Sequence, residues 1–287
     1  MDLVVAGLVL GSAALHPLWF ALVKRDPDPE AAYLALLAVM AAIALAHAAA
    51  AGVDLVAALA AWPLILLSTA SQVVYGAAVV MVLRRGDLSA YYPIIRSSPL
   101  AIVAIGFAVL GETYPAAMLL GIALVLAGGF VLQRKPDARL LAQPAVLGLA
   151  ALAMLMVALY SIADARLVGR IHPAAVMFWC QTPPILALAL FYRRDHPEWR
   201  GLLPVGVWAR APLRYLRLGP IAYGSYYMIL LAYAAGGNVA AVNAVRQIAI
   251  PISVLIGGMW LAESQMWRRL AAALVLAAGI VAIVLSR

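Results

Sequence analysis

The sequence predicts an all-α membrane protein, ten transmembrane helices in two inverted five-helix repeats. Three observations carry that prediction. Of the 287 residues, 67% are hydrophobic and 11% charged, whereas a soluble domain is roughly half apolar and a quarter charged. The apolar residues fall in runs of about 20, enough to cross roughly 30 Å of hydrocarbon as helix. And residues 86–133 align with 237–284 at a fixed offset of 151, with ten identities in 48 ungapped positions. Those identities include Gly86/Gly237, Gly106/Gly257, Leu110/Leu261, Glu112/Glu263, Leu119/Leu270 and Gly128/Gly279. Two related membrane-embedded halves are the plan of a transporter.

The ten spans are read at 2–23, 31–50, 56–83, 88–110, 115–133, 143–165, 173–192, 215–235, 239–261 and 267–286. They are helices and not barrel strands, because no run alternates apolar with polar residues. The first span opens on Asp2 without basic residues, and a second follows closely, so it is not a cleavable signal. The fourth and ninth carry prolines, Pro99 and Pro251, each shortly after an arginine, Arg96 and Arg246. A proline frees a carbonyl one turn back and can kink the helix, as a hinge or gate requires. The single cysteine, Cys180, lies within the seventh span, which excludes an intrachain disulfide and a thiol metal site. Most connections are short. The longest, 193–214, is rich in Arg, Pro and Trp, and its Trp199 and Trp208 suit a short segment at the headgroup level. The halves divide at 1–140 and 141–287.

Loop charge gives the orientation. The odd-numbered loops and their edges hold 15 of the 20 basic residues; the other side has Arg166, Arg170 and Arg287. The positive-inside rule places both termini outside the cytoplasm. The formal net charge of +8 thus reflects topology and not a nucleic-acid partner. The bias also alternates between the repeats. Arg84-Arg85-Gly86-Asp87 is basic where Gly236-Gly237-Asn238 is bare, and the turn at Glu112 is bare where Glu263 precedes Arg268 and Arg269. Five spans per half invert the second copy, and each copy has the charges its own orientation needs. Arginine makes up 18 of the basic residues, which suggests a GC-rich bacterial genome and an inner-membrane location.

In this pattern the chain resembles the EamA family of the drug/metabolite transporter superfamily. The resemblance lies in the ten spans and in the end of each repeat: a glycine-bearing span, Leu110-Gly-Glu-Thr113 or Leu261-Ala-Glu-Ser264, then a final glycine-containing span. The stretch from His16 through Trp19 to Lys24 is similar to the His-x-x-Trp-Asn-x-x-x-Lys start of one subgroup, with Phe20 in place of its Asn. The resemblance implies a carrier of small organic metabolites working by alternating access without ATP, through a cavity between the repeats. Members of the family are usually described with cytoplasmic termini, the reverse of what the loop charges here give.

Polar residues inside spans are costly and tend to face a cavity or a partner helix. Arg96 stands about eight residues into its span, roughly 12 Å deep, and Arg246 at a similar depth. An arginine fork in a low-dielectric cavity suits a carboxylate, phosphate or phosphonate. Trp19, Tyr75, Tyr91, Trp179, Tyr226 and Tyr227 could enclose an ammonium or orient a polar ligand, and equally could be packing or interfacial residues. Gln72, Asn243 and Gln247 complete the polar set, either as ligands or as helix-to-helix hydrogen bonds. His16 and Asp164 could titrate and couple transport to protons. Glu112 and Glu263, symmetric at span junctions, suit a structural task such as capping the next helix.

The expectation is therefore a secondary transporter of a small zwitterionic or anionic metabolite, of amino acid or aminophosphonate type, and not an enzyme. It needs no metal or cofactor, and it exists as a monomer or homodimer in the bilayer. Two alternatives stay open: a carrier of choline-like quaternary amines through an aromatic cage, and a lipid flippase. No phosphate-binding loop for ATP occurs. Beyond Asp2 at its very start the first span has no Asp or Glu, which disfavours a proton-for-lipophilic-cation exchanger of the small multidrug-resistance type.

Overall fold

A computed structural model describes residues 1–85, 88–133, 143–197, 199, 201–252 and 266–286. The described residues are helical, with no strand among them. The helices are α1 (Leu3–Lys24), α2 (Pro29–Ala50), α3 (Trp62–Arg85), α4 (Leu88–Ile95), α5 (Ser98–Val109), α6 (Ala116–Gln133), α7 (Pro144–Leu167) and α8 (Pro173–Tyr192). They continue with α9 (Val205–Arg210), α10 (Pro212–Leu216), α11 (Leu218–Ala234), α12 (Val239–Val245) and α13 (Met266–Leu285). Five described segments are long and apolar enough to cross a bilayer: Leu3–Val23, Pro29–Ala50, Ala57–Val82, Pro144–Leu167 and Pro173–Asp195. Large apolar side chains stand exposed around the outside, among them Phe107, Val109, Leu120, Leu190 and Leu274. Such a surface calls for an apolar solvent. This is a helical membrane protein.

Local signals start the helices where the sequence offers them. The Asp2 carboxylate accepts from Val4 N at 2.7 Å to cap α1, and Asp28 accepts from Ala31 N at 2.9 Å to cap α2, with Pro29 at its first position. His172 and Asn238 cap α8 and α12 in the same way.

The main packed pairs are α6 with α13, α3 with α7, α1 with α11 and α2 with α8; α2 also meets α11, and α3 meets α8. With little hydrophobic drive between helices in lipid, close approach depends on small residues. The pair α6/α13 shows this. A Cβ on Gly121 would stand 2.7 Å from the Gly279 carbonyl, and one on Gly128 would stand 2.7 Å from the Ala272 carbonyl. Between α1 and α11 the Ser225 hydroxyl donates to the Ser12 carbonyl at 2.9 Å. The N-terminal ammonium donates to the Val284 and Ser286 carbonyls at 2.7 and 3.2 Å, so both ends of the chain lie together.

Two sequence expectations need correction. The fourth and ninth spans are not continuous helices: α4 stops at Ile95 and α5 restarts at Ser98, while α12 gives way to a 3-10 turn over Arg246–Ile248. Pro99 has no N–H and Leu100 N donates to Ser97 O at 3.0 Å, so the Arg96 carbonyl is released from the helix ladder. The Gln247 side chain takes it at 3.1 Å. Residues 253–265, which hold the end of the ninth span and Glu263 beyond it, lie outside the described residues.

The 193–214 connector, with short helices α9 and α10, is packed against the start of α2. Trp199 is buried and its indole donates to Asp28 at 3.1 Å, and that of Trp208 donates to Ala31 O at 2.9 Å. Arg214 pairs with Asp26 at 2.7 Å. The connector is thereby clamped to the start of α2. The second correction is Glu112, which does not cap α6: its carboxylate accepts from the Tyr114 hydroxyl at 2.6 Å, and burial together with that bond holds the phenol above its ordinary pKa.

Candidate functional site

The two helix breaks, joined by the Gln247–Arg96 hydrogen bond, lie side by side in the wall of a cavity of about 400 Å³. Walls come from α1, α2, α3, α7, α8 and α11, so both sequence halves contribute. The cavity runs toward the end of the bundle that carries Pro29, Glu30 and Tyr192. Its size suits a metabolite and not a macromolecule.

Of the residues singled out in the sequence, Trp19, His16, Gln72, Tyr75, Arg96, Tyr226, Asn243, Arg246 and Gln247 line this cavity. Arg246 occupies the first position of the 3-10 turn, and its Nη2 lies 3.5 Å from His16 Nδ1. Its Nε is buried without a hydrogen-bond partner, and none of the described ion pairs involves it. Gln247 donates to Arg96 O and Asn243 O, while its Oε1 is buried and unsatisfied. Trp19 meets His16 edge-on, ring centroids 4.8 Å apart. Phe20, where the resembling subgroup has Asn, also lines the cavity and lies parallel to the His16 ring, centroids 6.3 Å apart.

Asn243 reaches the cavity wall but is spent on structure. Its amide donates to the Tyr233 hydroxyl at 2.8 Å and to Val239 O at 3.0 Å, and its Oδ1 accepts from Ser161 at 3.4 Å. Gln72 donates to the Ser68 hydroxyl at 3.0 Å and accepts from Gln181 at 2.7 Å. Ser68 in turn donates to Asp164 at 2.6 Å, and Asp164 also accepts from the Tyr226 hydroxyl. Asp164 is 1% exposed and stands just behind the wall that Tyr226 forms.

Three sequence-selected aromatics do not line the cavity. Tyr91 is buried with Ala78, Val82, Val146 and Ala150 in a separate small core. Tyr227 stacks on Tyr223 at 5.5 Å and sits 5.0 Å from the His47 ring. Trp179 donates to the Leu55 carbonyl at 2.9 Å. The sequence left these aromatics open between ligand contact and packing, and the structure places all three in packing contacts. Pro99 is buried at the start of α5, and Pro251 follows the Arg246–Ile248 turn.

Glu30 and Tyr33 are cavity residues that sequence reading missed. Together with Leu37 and Met40 they recur at helical spacing on one face of α2. That face, holding an acid and a phenol in an otherwise Ala/Leu span, was the available signal.

No family model matches this sequence, and no curated protein matches it. Among the solved structures that match, one crystal structure of a protein covers 99% of this chain and 96% of its own, with a TM-score of 0.73 at 20% identity. At that identity the likeness shows the fold alone.

Proposed function

We propose that this chain is a secondary transporter of the EamA type that moves a small zwitterionic or anionic metabolite by alternating access. The observation that carries the reading is Arg246: a guanidinium at a helix break, facing a cavity, with an unpartnered buried Nε and no described carboxylate within ion-pairing reach. An intramembrane cation is expensive, and a ligand acid group offsets that cost through paired N–H donors. Arg96 and Gln247 supply further donors on the same wall. Tyr75, Tyr160 and Tyr226 face the same space and would hold an amino or apolar end.

The architecture behind the proposal is ten crossings in two inverted halves, 1–140 and 141–287. Helix packing supports it. Exchanging the halves turns the pair α3/α7 into α11/α1 and the pair α3/α8 into α11/α2, while α2/α8 and α6/α13 map onto themselves. At residue level the offset of 151 turns the Gly121–Gly279 contact into the Ala272–Gly128 contact. The Gln247–Arg96 hydrogen bond joins two residues that are themselves 151 apart, as expected close to a two-fold axis. Termini on one side agree with an even number of crossings. The two halves would rock about the breaks at Arg96-Ser97 and Arg246–Ile248, with Pro99 and Pro251 as flexible points. Loop charge sets the clamped connector and the Glu30 end of the cavity at the cytoplasm of a bacterial inner membrane.

A second reading is favoured by one specific observation: Trp19, Tyr33, Tyr75, Tyr160 and Tyr226 all line the cavity, the makings of an aromatic cage for a quaternary amine. Substrate screening separates the two. In detergent-solubilised protein, acid-bearing ligands should raise the melting temperature by binding the folded state, and Arg246→Ala should abolish that rise. Stabilisation by choline alone, untouched by Arg246→Ala and lost in Tyr160→Ala, would favour the cage.

A further inference from the structure

Asp164, marked in the sequence as able to titrate, is a carboxyl buried beside the cavity that the proposed substrate site does not use. It is 1% exposed on α7, and no described ion pair includes it. Its two oxygens accept from Ser68 on α3, at 2.6 Å, and from Tyr226 on α11. The titratable groups that face it are Tyr160 on its own helix, Tyr226 and Tyr233 on α11, and Cys180 on α8, all of them neutral acids. The cavity cations Arg246 and Arg96 act on His16, and Arg246 also on Tyr160 and Tyr233, but no described ion pair joins either arginine to Asp164. Burying an ionised carboxylate without a cation costs several kcal/mol; two hydroxyl donors favour the anion. These effects oppose one another, so the donors around Asp164 bear directly on which form is present.

Tyr226 connects this carboxyl to the cavity, which its side chain lines. The Ser68 donor is fixed from behind by Gln72, which Gln181 holds in turn. Carboxamides orient the serine but pass no proton; the phenol hydroxyl can. We propose that Asp164 is a proton-carrying site that exchanges one proton with the cavity through the Tyr226 hydroxyl. When Asp164 is protonated, its O–H donates to the phenol oxygen, whose own hydrogen turns toward the cavity. On release, the carboxyl proton passes to the phenol oxygen while the phenol hydrogen goes to a cavity water or a basic group of the bound molecule. One proton leaves, one negative charge stays on Asp164, and the tyrosine is regenerated donating to it. This rests on the transport reading for its use: a group docked at Arg246 and a proton on Asp164 are sensed across one cavity, so each biases the occupancy of the other.

The test uses the proton as the probe. Infrared spectra of the whole protein in detergent are recorded across the pH range in which it stays folded. A protonated-carboxyl C=O band is expected at the acid end and lost at the alkaline end, and it should be missing from Asp164→Asn. Ser68→Ala and Tyr226→Phe, which preserve shape, should move its frequency. Absence of any titrating band, or the same band in Asp164→Asn, overturns the proposal. If Asp164→Asn does not fold, a band unmoved by both conservative variants overturns it. Failure of the substrate reading would leave this band in place. Failure of the proton site would leave ligand stabilisation through Arg246 intact.

Discussion

Replacing Gly279 by alanine should destabilise the protein, and the sign can be worked from the contact between α6 and α13. A Cβ at position 279 would lie 2.6 Å from Gly121 O and 2.7 Å from Val125 N, where ordinary contact begins at 3.4 Å. Both atoms are backbone, so no side chain can swing away, and the helices must part by about 0.8 Å. A gap of that size forfeits roughly a quarter to a half of the dispersion energy along the seam, and overpacking costs about 1–3 kcal/mol. Alanine returns roughly 0.5–1 kcal/mol of helix propensity, leaving a net loss of about 1–2 kcal/mol. Gly148, on α7 with nothing within 4 Å of its would-be Cβ, is the control. There the propensity gain stands alone, and Gly148→Ala should stabilise by about 0.5–1 kcal/mol. Cys180 supplies the assay. It is the only cysteine and fully buried, so a thiol-reactive fluorogenic dye reports unfolding on heating. At about 2–4 °C per kcal/mol, the two variants should separate clearly. Equal melting temperatures, or Gly279→Ala above wild type, would refute the close crossing.

Four further outcomes follow from the same geometry. Arg214→Ala strands Asp26, whose side chain is 3% exposed against 37% for Arg214. Because the arginine is partly solvated the loss should be about 1–3 kcal/mol, below that of a fully buried pair, and Asp26→Asn combined with it should recover part of the drop in the dye assay. Trp199→Phe keeps the packing but removes the donor to Asp28; a fall of about 1 kcal/mol is expected, with no change in ligand-induced stabilisation. Asn243→Ala should lower ligand-free stability by about 1–3 kcal/mol, since Tyr233 and Ser161 lose their partner. Arg246→Ala should leave ligand-free stability unchanged or higher, because an uncompensated charge is removed. Reversal of that order between Asn243 and Arg246 would assign the arginine to structure.

Helix content and membrane character were readable because both are written in composition and run length, which lipid imposes directly. The two arginines were readable for the same reason: a charge in an apolar run needs a cause. Helix continuity was not. Arg96 and Pro99 suggest a kink, but the break at Arg96-Ser97 depends on Gln247, 151 residues away, taking the freed carbonyl. Nor did the sequence separate cavity from core among the aromatics. Tyr226 and Tyr227 are neighbours, yet the 100° step between them puts one beside Asp164 and the other on Tyr223. The partners of the connector tryptophans, Asp28 and Ala31 O, were not legible because they lie at the start of α2, far away in sequence. Glu30 and Tyr33 escaped because a first-turn acid on a helix already has a local explanation.

The central claim is that Arg246 holds the acid group of a small metabolite. Its most direct test is the ligand-induced melting shift of wild type and Arg246→Ala, measured with amino acids, aminophosphonates, organic acids and choline. The account predicts that acid-bearing compounds stabilise wild type, that choline does not, and that Arg246→Ala loses the shift while staying folded. An acid-induced shift that survives in Arg246→Ala would contradict it.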